Sequence, residues 1–440
     1  MNEWHDLPLR ELAVAVSRGQ LDALEITRDC LARIDACEDD VQAWAAQSHD
    51  FALAQASVVQ NSPGKALCGV PFGAKDIIDT VDLPTAYGSG LYEGFRPGAD
   101  ASCITLARRA GALLIGKTVT AEFALSAPGA TRNPHALEHT PGGSSSGSAA
   151  AVAAGMVPVA LATQTGGSII RPAAYCGVVG FKPSFGLIDR TGIKPLSPSL
   201  DTVGVIARRV DDAACFSEIL ARRPWRSQAS TRSVRIGRYD TANWGRLAPA
   251  VNEALRESSQ VLTQLGFALD DVKASTNESQ LKDAYQTIVL WEIAATLAYE
   301  HARGFDRLRE QTRAVLTHPG PTLYEYDTAQ AQAQMARTRL DALFGTCDVL
   351  LAPAVPDIAP AGIAQSGDPS HCLLWSLLHT PAITLPVTTG PLGLPVGVQL
   401  IARVGNDALL LAVANRLEQA LPRIGEARVQ GNGATKAAAG

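Results

Sequence analysis

Three polar residues stand in stretches otherwise made of small or apolar side chains: Lys75 in "GVPFGAKDIID", Ser144 in "PGGSSSGSAAAVAAG" and Ser168 in "TQTGGSIIRP". Together they could form a nucleophile system that needs no histidine. A serine hydroxyl is a weak nucleophile until a base takes its proton, and a lysine serves as that base only while uncharged. Bringing a lysine from a reference pKa near 10.4 to a working value near 7 costs roughly 4 to 5 kcal/mol, at about 1.36 kcal/mol per unit. Burial among Val70, Phe72 and Ile77 would push in that direction. Asp76 would oppose it if its carboxylate faced the amine, but neighbours on a strand point to opposite sides. The two glycines before Ser168 allow the amides of Thr165, Gly166, Gly167 and Ser168 to converge on one oxygen as an oxyanion hole. Each residue also has a plain structural reading. Lys75 could snorkel to the surface, and each Gly-Gly-Ser could simply turn the chain and cap a helix.

The elements that must position these residues are legible in outline. Residues 7–49 read as two amphipathic helices, "LRELAVAVSRG" and "LDALEITRDCLARIDAC", separated at Gly19. "LCGVPFGAKDIID" reads as a short strand entering the core and bending near Gly73, followed by a glycine-rich loop. "ASCITLARRAGALLIGKT" reads as a helix, a stop at Gly111 and a strand, the alternation of α/β units. A small-residue helix is expected over 145–155 and a strand over 158–162. "YCGVVGFKP" reads as another short buried strand. Residues 245–345 carry helical patterning and charge, and "CDVLLAPAVP", "AITLPVTTG" and "PVGVQLIAR" read as strands before a closing helix, "DALLLAVANRLEQAL". Strands lie on both sides of the helical middle, so one continuous α/β domain over 1–425 is expected. The remaining 426–440 has little to bury and reads as a disordered tail.

Composition narrows the function classes. The chain is 46% hydrophobic and 18% charged, with 43 acidic against 38 basic residues and a formal charge of -5. That suits a soluble globular protein, and the absence of a basic stripe argues against nucleic-acid binding. Eight cysteines at 30, 37, 68, 103, 176, 215, 347 and 372 form no CxxC pair. Their spacing fits neither a disulfide framework nor a zinc knuckle. "MNEWHDLPLR" lacks a signal-peptide pattern, and the most apolar stretches are broken by Gly and Pro, so a cytoplasmic location off the membrane is expected. His135 and His139 with Glu138 make no convincing metal set, and Cys176 reads as a small buried thiol.

With these motifs in hand, the sequence closely resembles the amidase signature family of serine hydrolases. The resemblance rests on the Gly-Ser-rich run from Gly142 to Ser184 and on "GVPFGAKDIIDT". It continues through "GKT" at 116–118, "RNP" at 132–134, "LDTVG" at 200–204 and "PVGVQLI" at 395–401, spanning nearly the whole chain. It implies an α/β fold with a mixed central sheet sandwiched between helices, and a Ser-cisSer-Lys triad. In that triad Lys75 is the general base, Ser144 the bridging serine with a cis peptide bond beside it, and Ser168 the nucleophile. The 24-residue spacing from Ser144 to Ser168 favours Ser144 over Ser145 and Ser146 as the bridge. Thr165, Gly166, Gly167 and Ser168 would supply the oxyanion hole, with Thr163 and Gln164 orienting the loop. The implied reaction is acyl transfer from a small amide through an acyl-enzyme, releasing ammonia. It calls for no cofactor and no metal. The expected partner is the small-molecule amide, with no nucleic acid and no membrane, and a homodimer is one possible assembly.

Two departures from the family pattern bear on substrate. Many members carry Asp where this chain has Gln164, and many place Arg two residues after the nucleophile, where this chain has Arg171 three residues after Ser168. The form "TQTGGSxIRPAAYCG" is most similar to the malonamidase subgroup, which implies that Arg171 binds a substrate carboxylate. If a helix begins at Ser168, Arg171 shares a face with it; alternatively Arg171 only braces the loop. Tyr92, Glu93, Arg96, Trp291 and the "HCLLWSLLHTPA" stretch are further candidates for the pocket rim. Two other functions stand beside the free-standing amidase: the A subunit of a glutamyl-tRNA amidotransferase, and a non-enzymatic scaffold that kept the fold.

Overall fold

In the computed structural model, described for all residues except 1–2, 61–63, 226–233, 242–243, 274–277, 423, 425–426 and 428–440, eleven strands join one sheet. They are β1 (Trp44–Gln47), β2 (Pro71–Lys75), β3 (Leu113–Thr118), β4 (Val159–Gln164), β5 (Val179–Lys182), β6 (Thr202–Ala207), β7 (Arg235–Tyr239), β8 (Ala268–Val272), β9 (Val349–Pro353), β10 (Ala382–Thr389) and β11 (Pro395–Ala402). Their order across the sheet is β1-β3-β2-β4-β6-β5-β10-β11-β9-β7-β8. β2 runs parallel to β3 and β4, and β7 parallel to β8 and β9, whereas the pairs around β5, β6, β10 and β11 are antiparallel. The sheet is therefore mixed, and the fold is the α/β sandwich that the resemblance implies.

Side-chain alternation shows that both faces are covered. Val159 and Leu161 of β4 and Val203 and Val205 of β6 join one core, while Ala160, Ala162 and Ile206 point into another on the opposite face. Successive strand residues point to opposite faces, so a strand that is buried at every position, like β4, must be enclosed on both sides. The helices Leu9–Ser17, Ser102–Arg109, Val210–Ala221 and Asp407–Ala420 supply the first core, and Ala23–Val41 and the small-residue helix Ser146–Ala153 supply the second. All eight residues of Ser146–Ala153 are buried. A helix of Ser, Gly and Ala with a single Val can only be enclosed this way if its backbone approaches its neighbours closely.

Several elements differ from the sequence reading. β1 interrupts the region read as two helices, because Trp44 lies against β3 rather than continuing the helix that ends at Val41. β6 forms from the "LDTVG" region, and β7 and β8 flank a stretch read only as helical. The tail expected over 426–440 lies outside the described residues except for Ala427.

Candidate active site

Lys75 closes β2, and burial on this strand is complete, with Pro71 through Lys75 all enclosed. Its Nζ stands 2.8 Å from Ser144 Oγ and 2.8 Å from Thr163 Oγ1, with the Thr163 carbonyl at 3.4 Å. No carboxylate pairs with it among the described residues. Asp76 points away and meets Lys117 at 3.1 Å, as strand alternation requires. Burial therefore pulls the Lys75 amine down to about 7, with the charge of Asp201 acting in the opposite sense. The amine can shed its proton at neutral pH.

Ser144 and Ser168 approach each other from two separate turns. Gly142 and Gly143 adopt φ of 82° and 62°, the left-handed region that glycine enters without steric cost, and a Cβ on Gly143 would lie 2.6 Å from Pro172 Cδ. This turn presents the Ser144 amide to Ser168 Oγ at 3.3 Å. Here the structure corrects one expectation: among the described residues no peptide bond is cis, so the bonds flanking Ser144 are trans. The positive-φ glycine pair already turns the chain, and it is the Ser144 N–H that contacts the Ser168 oxygen.

The segment from Gln164 to Ser168 is held from several sides. Gln164 Oε1 accepts from the amides of Ile169 at 2.9 Å and Ile170 at 3.1 Å, and its Nε2 donates to Ser376 Oγ at 3.0 Å. Ser376 Oγ in turn donates to the Gly166 carbonyl at 2.6 Å, and Thr165 Oγ1 donates to Asp201 Oδ1 at 2.6 Å. Among the described residues the amides of Gly166, Gly167 and Ser168 donate to no protein acceptor. Such N–H groups, next to a serine that is 8% exposed, have their donor capacity free for a developing oxyanion.

Arg171 lies on the short helix Ile170–Tyr175, which begins two residues after Ser168 rather than at it. Its Nη1 donates to the Gly367 carbonyl at 2.5 Å, its Nε is buried without a partner, and no ion pair forms with it among the described residues. Burial pulls the guanidinium down from its ordinary range. It shares its surroundings with Tyr175, Cys372, Asp368 and Tyr285. Two of these also flank the oxyanion segment: a Cβ on Gly166 would sit 2.7 Å from Tyr285 Oη, and one on Gly167 would sit 3.2 Å from Cys372 Sγ.

Of the rim candidates, only the "HCLLWSLLHTPA" stretch reaches the site, through Cys372, Leu373 and Ser376. Tyr92 hydrogen-bonds Glu300 at 2.5 Å, Arg96 donates to the Asp82 carbonyl, and Trp291 stacks on Tyr326. His135 Nε2 contacts the Cys176 carbonyl at 3.1 Å, and no cluster of three metal-ligating side chains occurs among the described residues. Asp201 and Tyr285 were not singled out from the sequence, and "LDTVG" carried the only signal for either, whereas Ser376 lies within the "HCLLWSLLHTPA" stretch. A cleft of about 1500 Å³ lined by His5, Arg33, Arg208 and Glu418 includes none of the site residues. Lys75, Ser144, Ser168 and Arg171 are each at most 8% exposed, so the site is enclosed.

Comparison with known proteins gives this geometry its context. The Amidase family profile matches residues 25–411. The A subunit of the glutamyl-tRNA(Gln) amidotransferase of Oleidesulfovibrio alaskensis is 32% identical, with 96% of this chain and 98% of that protein aligned. Its counterpart in Chloroflexus aggregans is 34% identical over 95% and 97%. Among solved structures, the peptide amidase of Stenotrophomonas maltophilia superposes with a TM-score of 0.83 at 27% identity, over 96% of this chain and 99% of that one. An amidase crystal structure gives a TM-score of 0.86 at 29% identity, over 94% and 100%. No helix among the described residues is long and apolar enough to cross a membrane. The profile match across most of the chain, with relatives that act on amides, shows that this protein is an enzyme of the amidase signature family.

Proposed function

We propose that this enzyme is a free-standing amidohydrolase that cleaves a small, carboxylate-bearing amide through Lys75, Ser144 and Ser168. The observation that carries the reading is the contact of a buried, unpaired amine with Ser144 Oγ at 2.8 Å, where the Ser144 amide meets the Ser168 oxygen at 3.3 Å. In the proposed reaction Ser168 Oγ passes its proton to Ser144 Oγ, whose own proton moves to neutral Lys75. The Ser168 oxygen bonds to the amide carbon, and the carbonyl oxygen becomes an oxyanion facing the free amides of Gly166, Gly167 and Ser168, with Thr165 at the start of the run. Collapse of the tetrahedral intermediate breaks the carbon–nitrogen bond, and the relay in reverse protonates departing ammonia. Water then enters by the same path, giving the acid and free Ser168.

Arg171 is proposed to hold the substrate carboxylate. A buried guanidinium with no carboxylate partner and a free Nε is a receptor for a planar anion. Its bond to Gly367 leaves the bracing role in place beside this one. A second reading is the A subunit of a glutamyl-tRNA amidotransferase, favoured by the relatives at 32–34% identity over nearly the whole chain. Gln164 and the position of Arg171 depart from the family pattern and lean against it. The relatives that hydrolyse or transfer amides set aside a scaffold without catalysis.

Ammonia release from malonamate and malonamide tests the proposal. The parental enzyme is expected to turn over malonamate, and Arg171→Ala to lower kcat/KM for malonamate about 100-fold while changing malonamide less than about 5-fold. Equal losses on both amides would remove the carboxylate assignment. Absence of turnover alone, with a stable complex forming on addition of a B-type subunit, would favour the second reading.

A further inference from the structure

The "LDTVG" stretch places a carboxylate between the oxyanion segment and the helical middle of the chain, and nothing in the proposed reaction uses it. Asp201 Oδ1 accepts from Thr165 Oγ1 at 2.6 Å, and Oδ2 accepts from the amides of Leu196 at 2.8 Å and Ser197 at 3.0 Å. Its own carbonyl accepts from Arg190 Nη1 at 3.0 Å. The loop that carries it is tied in turn to the helix Glu278–Thr296. Glu292 accepts from the Ser197 and Ser199 hydroxyls at 2.5 and 2.6 Å and from the Ser199 amide at 3.1 Å. A continuous set of charge-assisted bonds thus runs from this helix through the loop to the first residue of the Thr165–Ser168 amide run.

We propose that Asp201 is a positioning residue of the acyl-transfer site, its carboxylate locking the Thr165 side chain and so the direction of the amides from Thr165 to Ser168. The proposal rests on the reading of Ser168 as nucleophile. Oxyanion donors act only if they are aimed before the charge develops. Gly166 and Gly167 have no side chains to hold them, so the fixed points must come from flanking side chains and from the run's own carbonyls. Thr165 is anchored by Asp201, and the Gly166 carbonyl by Ser376.

The same carboxylate acts on the base. Asp201 favours the protonated form of Lys75, while burial favours the neutral one. The titratable or charged groups facing Asp201 are Lys75 on β2, Tyr285 on Glu278–Thr296, and Arg190 on the loop before it. Removing its charge therefore moves Lys75 toward neutrality and the acid limb of reactivity toward lower pH. Cutting the Thr165 bond alone leaves that limb where it is.

The test is the second-order rate of Ser168 labelling by a fluorophosphonate probe, measured from about pH 5.5 to 9, with the modified peptide identified by mass spectrometry. Asp201→Asn is expected to slow labelling about 10- to 100-fold at its optimum and to shift the acid limb down. Thr165→Val is expected to slow labelling to a similar degree with the acid limb unmoved. Thermal unfolding midpoints of both variants above the assay temperature establish that folded protein is being compared; if Asp201→Asn does not fold, Thr165→Val decides alone. Rates within about twofold of the parent in the folded variants, or an unmoved acid limb in folded Asp201→Asn, would overturn the proposal. Failure of the parental enzyme to label at Ser168 would instead strike the nucleophile assignment, and this inference with it.

Discussion

Lys75 and Lys182 are both fully buried, and burial brings both amines down to about 7, yet their surroundings assign them different work. Lys182 donates to the carbonyls of Thr380 and Pro183, so its hydrogens are consumed by main chain that the strand end leaves unpaired. Lys75 instead meets two hydroxyls, which can accept or donate as a proton moves. The shared burial has a stability consequence whose sign follows from proton counting. A lysine at about 7 in the fold and at its ordinary 10.5 when unfolded binds more protons unfolded throughout that interval. The stability it allows is complete above the unfolded value and is lost progressively as pH falls from there to the folded one. Buried carboxyls such as Asp212, raised to about 6, change below this window, and thiols raised by burial, such as Cys30 at about 12, act above roughly 8.5, where unfolded thiols begin to ionise. Urea unfolding is thus expected to show stability rising by about 2 kcal/mol per lysine between pH 7 and 8.5, with Lys182→Met removing about half of the rise. A flat profile for the parent, or an undiminished rise in the variant, would contradict the neutral state of these amines.

At the scale of elements, the site is made where β2, β4 and two glycine turns meet a helix contributed by the middle of the chain. Tyr285 on Glu278–Thr296 lies against Gly166 so closely that an added methyl would fall 2.7 Å from its hydroxyl and 3.0 Å from Leu373 Cδ2. Gly166→Ala is therefore expected to displace the amide run and lower kcat about 100-fold. Tyr285→Phe in the same chain should recover part of the loss, since it removes the atom in closest conflict. No recovery in the double variant, with both proteins folded, would mean that the helix does not press on the loop. This contact also shows what sequence could and could not reveal. Lys75, Ser144, Ser168 and their spacing were readable because each motif is local, and a lone polar side chain stands out against small and apolar neighbours. Tyr285 and Asp201 were not, because each lies more than 30 residues from Ser168 and meets its loop only through tertiary packing, and Ser376 was legible only as one member of a longer apolar stretch. β1 and β8 escaped for a related reason: each is an edge strand, partly exposed, with too little apolar alternation to mark it. The trans backbone at Ser144 depends on how Gly142 and Gly143 turn, which residue identity alone leaves open.

For the molecule as a whole, one mixed sheet enclosed on both faces sets the conditions for the chemistry. The deep burial that encloses β4 and the Ser146–Ala153 helix throughout also strips Lys75 of water and of any carboxylate partner. The amine is thereby neutral near physiological pH, at a cost of about 5 kcal/mol relative to a free lysine. The wider fold supplies that free energy. The most direct test is the pH dependence of kcat/KM for ammonia release by the parental enzyme and by Lys75→Met, which keeps the buried volume. The parental profile should rise through an acid limb near pH 7, and the variant should lose at least about 1000-fold at its plateau. A Lys75→Met enzyme that turns over amide at the parental rate with the same acid limb would contradict a lysine-driven relay.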